Sequence, residues 1–98
     1  MCSIQGILNL ISKKWTLLII SIIGNNEKLR FNELMKNLET ISPKSLSDRL
    51  KELENAGLIN REFFSEIPPR VEYSLTDKGL ELRTSMIPLL EWASKSNV

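Results

Sequence analysis

The sequence predicts a mainly α chain with one small β-hairpin, an α+β class. Three observations carry that reading. Apolar residues recur at helical spacing over most of the 98 residues. Two stretches, "LINREFF" (Leu58 to Phe64) and "RVEYSL" (Arg70 to Leu75), alternate instead. Two short helical patterns are joined only by "ETIS", which leaves room for a tight turn and nothing longer.

The elements follow in chain order. Ile4, Ile7, Leu8 and Ile11 give residues 3 to 12 one apolar helical face. Residues 14 to 23 are apolar on nearly all sides, which predicts a helix buried by more than one neighbour. Gly24 opens the loop "GNNEK". Three helix starts then share one device, a pair of apolar residues spaced as a hydrophobic staple around the cap. Leu29 and Leu34 flank Arg30, with Glu33 three residues on. Ile41 and Leu46 flank Ser42, with Pro43 at the first helical position. Leu75 and Leu80 flank Thr76. Helices are expected at about 31 to 38, 43 to 56 and 77 to 95, and Gly57 suits the end of the second. In the alternating stretches, Ile59 and Phe63 share one face, as do Val71, Tyr73 and Leu75. An antiparallel pair follows, with "SEIPP" (Ser65 to Pro69) at the tip, where two prolines suit a projecting loop. A helix-turn-helix at about 31 to 56, followed by a wing at about 58 to 75, is a winged helix. Residues 1–98 read as one such domain.

Composition narrows the function. With 42% hydrophobic and 26% charged residues, the chain builds a core rather than staying disordered. A net charge of +1 means that any polyanion must be met by charge segregation. There is no His and one Cys, which removes His-based triads, an internal disulfide and a cysteine-rich zinc site. Neither a Gly-rich phosphate loop nor a nucleophile–base pair is present, so no enzyme, cofactor or metal is expected. The run "LLIISII" (Leu17 to Ile23) is broken by Ser21 and falls far short of the about 20 residues a membrane span needs. No signal-peptide cleavage pattern follows it, and the expectation is a soluble, cytoplasmic protein without membrane contact.

Charge is indeed segregated. The segment from Lys28 to Lys51 holds six bases and three acids, a local +3 in a chain of +1. Within "ISPKSLSDRLKELENAGLI", Lys44, Arg49 and Lys51 face one acid, Asp48, while the later part holds Glu52 and Glu54 and no base. That order opposes the helix macrodipole. Leu46, Leu50 and Leu53 form an inward stripe; opposite lie Lys44, Asp48, Lys51 and Asn55, with Ser45 and Arg49 on one flank and Ser47 on the other. One reading is a solvated face with i,i+4 pairs such as Lys44 with Asp48. The other is a recognition helix whose basic start and free N–H groups meet phosphates and base edges of double-stranded DNA. Arg30, in the same basic segment, joins the candidate contacts. Arg70, beside Pro68 and Pro69, suits the backbone or minor groove, or else pairs with Glu66 or Glu72.

The last helix carries two apolar stripes, Leu80, Ile87 and Leu90, and Leu82, Met86, Leu89 and Ala93. One can pack on its own domain and the other predicts a partner. Pro88 should kink or restart this helix. Trp15, Trp92, Phe31 and Tyr73 are expected in the core or at a dimer interface.

Four blocks resemble the HxlR family of winged-helix transcriptional regulators: "KWTLLII" (Lys14 to Ile20), "LRFNEL" (Leu29 to Leu34), "ISPKSLSDRLKELENAGLI" (Ile41 to Ile59) and "IPPRVEYSLTDKG" (Ile67 to Gly79). The resemblance implies a homodimer on a palindromic operator. It places Ser42, Pro43, Lys44, Ser47 and Arg49 in the DNA-contacting helix and Arg70 on the wing. It also implies dimerisation through the first and last helices, hence through Ile4, Ile7, Leu8 and Ile11 with Met86, Leu89, Leu90 and Ala93. Two-fold symmetry would set the recognition helices about 34 Å apart. The chain departs from the family at Ser12-Lys13, where Gly-Gly is frequent, which bears on the turn between the first two helices. Cys2 resembles a cysteine that senses oxidants or electrophiles in several members; an inert terminal thiol is the other reading. The alternative function is a winged-helix protein-interaction module without direct DNA readout.

Overall fold

The structure, a computed structural model, describes residues 4–96. The order is α1 (Ile4–Ile11), α2 (Thr16–Gly24), β1 (Leu29–Arg30), α3 (Phe31–Asn37), α4 (Pro43–Asn55), β2 (Ile59–Phe64), β3 (Arg70–Leu75) and α5 (Asp77–Lys95). The three strands form one antiparallel sheet in the order β1-β3-β2. This is the winged helix-turn-helix expected from the sequence.

α2 is the centre of the core. Ile19, Ile20 and Ile23 are fully buried, and the helix packs on α1, α3, α5 and β3. The buried Thr16 hydroxyl donates to the Leu10 carbonyl at 3.1 Å, so α1 is tied to α2 by a satisfied polar contact. α2 begins at Thr16 because Trp15 has φ 81°, a left-handed conformation that breaks the helix expected from residue 14. α1 itself buries no residue completely.

α4 is seated by Leu46, Leu50 and Leu53, each at most 2% exposed. Ser42 caps its start, accepting the Ser45 N–H at 3.1 Å, and Pro43 follows where its missing N–H costs nothing. Its end is a Schellman motif. The Leu58 N–H donates to the Leu53 carbonyl at 2.9 Å and the Gly57 N–H to that of Glu54 at 3.0 Å, with Gly57 at φ 77°. Thr76 then does two tasks. Its hydroxyl donates to the Gly57 carbonyl at 2.6 Å and accepts the Gly79 N–H at 3.0 Å, so one side chain joins the end of α4 to the start of α5. At α3, Glu33 reaches back to the Arg30 N–H at 2.8 Å. Arg has no acceptor to complete a reciprocal box.

Several expectations change. β1 adds a third strand, with Leu29 opposite Tyr73 and Arg30 opposite Glu72. Two residues are too short to show any alternation. Phe63 does not share the burial of Ile59: it is 59% exposed, because β2 runs outward along the wing beyond the core. Met86, expected in a dimer interface, is 4% exposed within the chain's own core. The inward stripe of α5 is Leu82, Met86 and Leu90, not the two sets read from the sequence. Ile4 (80%), Leu8 (52%), Leu89 (53%) and Trp92 (66%) remain exposed, as does Leu80 of the third staple. α5 runs unbroken from Asp77 to Lys95 through Pro88, so the restart anticipated there does not occur; Pro88 lies on an exposed side with Thr84. Cys2 lies outside the described residues. Among those residues no single helix is long and apolar enough to cross a membrane.

Gly79 packs so closely that a Cβ there would meet the Leu58 carbonyl oxygen, a backbone atom, whereas at Gly24 it would meet the flexible Arg83 side chain. Gly79→Ala is therefore expected to lower unfolding stability by about 1–3 kcal/mol in chemical denaturation. Equal stability of this variant and the native chain would show that the α5–Leu58 approach is looser than described.

Candidate nucleic-acid interface

With the leucine stripe turned inward, one polar face of α4 is left outward. Ser42, Pro43, Lys44, Ser47 and Lys51 are exposed, and Ser45, Asp48 and Arg49 are half-buried. Ser45 is committed locally, its Oγ accepting a hydrogen bond from the Ser42 hydroxyl at 3.0 Å. The Lys44 side chain is 85% exposed, with its Nζ 3.0 Å from Asp48 Oδ2. That hydrogen bond, then the Lys44 charge and more weakly those of Arg49 and Lys51, hold the Asp48 carboxyl below its ordinary pKa. Arg49 is more enclosed than Lys44 or Asp48, 22% exposed, and its Nη2 meets Glu52 Oε1 at 2.6 Å.

The wing holds Arg70 in a comparable way. Its guanidinium lies 4.2 Å from the centre of the Phe64 ring and within 3.0 Å of Glu66 and 3.3 Å of Glu72. Both pairings anticipated for Arg70 therefore exist in the free chain. Arg30 and Arg70 meet across a cleft of about 540 Å³ closed by Phe31, Ile67, Pro68 and Pro69. The Ile67–Pro68 peptide is cis, and Ile67 at the tip is fully exposed.

Sequence reasoning missed one base. Arg61 on β2 lines a groove with Ser47, Lys51 and Glu54 of α4. Its partners come from another element, so no local periodicity could have paired them. Lys44, Ser47 and Lys51 thus lie on one helix face, continued by Arg61, with Ser42 capping its start, while Arg30 and Arg70, the latter paired with Glu66 and Glu72, line a cleft between α3 and the wing.

Residues 10–97 match the family described as HxlR-like helix-turn-helix. The chain belongs to the HxlR family. This HxlR-family chain is 44% identical over 89 residues to an uncharacterised helix-turn-helix transcriptional regulator of Halalkalibacterium halodurans, covering 91% of this chain and 79% of that one. Its fold is similar to the reduced transcriptional regulator YodB from Bacillus subtilis, with TM-score 0.81 and 32% identity over 99% and 96% of the two chains. It is also similar to the oxidised redox regulator HypR, with TM-score 0.89 and 32% identity over 99% of each. The chain is a transcriptional regulator of the helix-turn-helix type.

The depressed Asp48 value has a consequence for pH. Because the folded value is the lower one, the Lys44–Asp48 pair stabilises the fold above the unfolded-state pKa, and that contribution disappears as pH falls through the folded value. Carboxyl NMR titration is expected to find the Asp48 midpoint below that of an ordinary aspartate, and Lys44→Ala is expected to raise it. A midpoint that ignores Lys44→Ala would mean that the pair does not form in solution.

Proposed function

We propose that the protein is a homodimeric, sequence-specific regulator that binds a palindromic operator in double-stranded DNA, acting in the cytoplasm. The observation that carries this reading is the rotational setting of α4. The helix is capped, seated by three buried leucines, and turns Lys44, Ser47 and Lys51 outward at its basic end. Donors at such an end suit phosphates and base edges of a major groove. Arg30 and Arg70, on the cleft between α3 and the wing, suit the flanking backbone or minor groove. Arg49, Ser45 and Asp48 complete the face, with Asp48 orienting Lys44 in the free chain.

The dimer is supported by the large apolar side chains left exposed on the first and last helices. Ile4 and Leu8 on α1, and Leu89 and Trp92 on α5, are each more than half exposed. Ile7, Ile11 and Ala93 complete the proposed interface; Met86 is withdrawn from it by its place in the core, and Leu90 by packing against that core. The input is a redox or electrophile signal at Cys2, a reading supported by the likeness to the redox regulator HypR and to YodB, also solved after diamide treatment.

Selection of bound duplexes from a random pool tests the reading and yields the operator. On that operator, affinity is expected to fall as salt rises, by about 0.9 log units per log unit of salt for each phosphate contact. Lys44→Ala is expected to weaken binding and flatten the slope by about 0.9 for each subunit that loses a contact. Salt-independent behaviour, or no enriched sequence, would favour a protein-interaction module instead.

Diamide is expected to shift operator affinity in the native chain and to have no effect on Cys2→Ser. An equal response in both would remove Cys2 as the sensor.

A further inference from the structure

We infer that Glu52 is a positioning residue that governs Arg49, and that Lys13 sets how firmly it does so. The inference rests on the DNA-binding reading above. Glu52 faces bases from two different elements. Its Oε1 takes Arg49 Nη2 at 2.6 Å, from the preceding turn of α4, and its Oε2 takes the Lys13 ammonium from the α1–α2 turn. The carboxylate is thus divided, one oxygen to each cation.

Arg49 is held back by this arrangement. Its Nε is buried without a hydrogen-bond partner, so the guanidinium lies against the protein with donor capacity unused. A phosphate could take two N–H groups of the same guanidinium at once, a stronger match than the single contact to Glu52. Glu52 therefore competes with the phosphate for Arg49, and the strength of that competition depends on how much of its charge is already neutralised.

Lys13 supplies the neutralisation from outside the recognition helix. Its turn is fixed by the Lys13 N–H to the Leu10 carbonyl at 3.2 Å, the Thr16 N–H to the Lys13 carbonyl at 3.2 Å, and the left-handed Trp15. The neighbouring base, Lys14, sits 5.1 Å from the centre of the Trp15 ring, which leaves Lys13 as the cation presented to α4. A groove between the two helices runs past the pair, lined by Gly6, Asn9 and Leu10 on one side and by Glu52, Asn55 and Ala56 on the other. With the turn docked, Lys13 weakens the hold of Glu52 on Arg49. A shift of α1 that withdraws Lys13 returns the full carboxylate to Arg49 and keeps it from the phosphate. The position of α1 is thereby reported to the DNA-facing helix by one shared charge.

The test measures affinity and its salt slope on a pool-selected operator, by fluorescence anisotropy. The full chain is compared with Lys13→Gln, Glu52→Gln, Arg49→Ala and the last two combined. Glu52→Gln is expected to tighten binding by roughly three- to tenfold in a dimer and to steepen the slope by a fraction of the about 0.9 that one whole contact per subunit would add. Lys13→Gln is expected to weaken binding by roughly two- to fivefold. The Glu52→Gln effect should vanish where Arg49 is replaced. A Glu52→Gln effect that persists without Arg49, or a silent Lys13→Gln, overturns the relay. The Arg49 Nε–H NMR resonance of the DNA-free chain separates the two readings. If it responds to Lys13→Gln while the native chain binds no duplex, the relay stands and the DNA reading fails. If duplex is bound and the resonance does not move, the relay alone fails.

Discussion

The burial of Leu46, Leu50 and Leu53 is the constraint on which the rest depends, because it fixes the rotation of α4 about its own axis. A helix seated by three leucines at this spacing has one setting, and that setting decides which polar residues face outward. Fully burying each side chain contributes about 1.5–3 kcal/mol. The unfavourable order of charges along α4 costs about 0.3–1 kcal/mol per misplaced charge at the surface. The leucines therefore outweigh the macrodipole, and a helix with no acid in its first turn and no base in its last is stable here. The charge order is free to answer to something other than helix stability.

The same seat propagates through the chain by short-range contacts. The Schellman end of α4 turns the backbone at Gly57, and Leu58 and Ile59 enter the core at once. Thr76 bonds back to that turn, so the wing is held at its base from both strands. The Gly79–Leu58 approach brings α5 onto the same corner. The helix-turn-helix, the sheet and the last helix thus share one junction, which is why a small chain can hold its polar face in a fixed orientation.

What was legible in the sequence follows the same division. Caps and staples act within a few residues, and the starts at Pro43 and Asp77 are where Ser42 and Thr76 placed them. The leucine stripe of α4 was legible for the same reason, and it sets the exposed face. What was hidden depends on distance in the sequence or on the shape of the core. β1 is two residues long and is recognised only by its pairing with Tyr73 and Glu72. Met86 and Leu89 look equivalent on an apolar helix, and only the position of α2 and the sheet decides that the first is buried and the second exposed. Trp15 gave no sign of its left-handed backbone, since that conformation is normally left to glycine and asparagine. Lys13 and Glu52 are 39 residues apart, and no periodicity connects them.

The low net charge of the chain takes on meaning once the pairs are in place. Lys44 is matched by Asp48, Arg49 by Glu52, and Arg70 by Glu66 and Glu72. A polyanion approaching these three bases does not meet bare cations; to reach them it must displace carboxylates already in position. The Lys44–Asp48 pair is exposed and such pairs are worth little, so its displacement is cheap where a phosphate arrives in the right place, whereas the half-buried Arg49 and Arg70 pairs hold more firmly. Where the geometry is wrong, the internal acid is the better partner and the base stays at home. On the DNA-binding reading, the acids set a threshold that weak, sequence-independent contact does not cross, while the caps and leucines beneath keep the bases close to where a well-fitted groove would present its phosphates. A more basic surface on the same helix would bind more tightly and discriminate less.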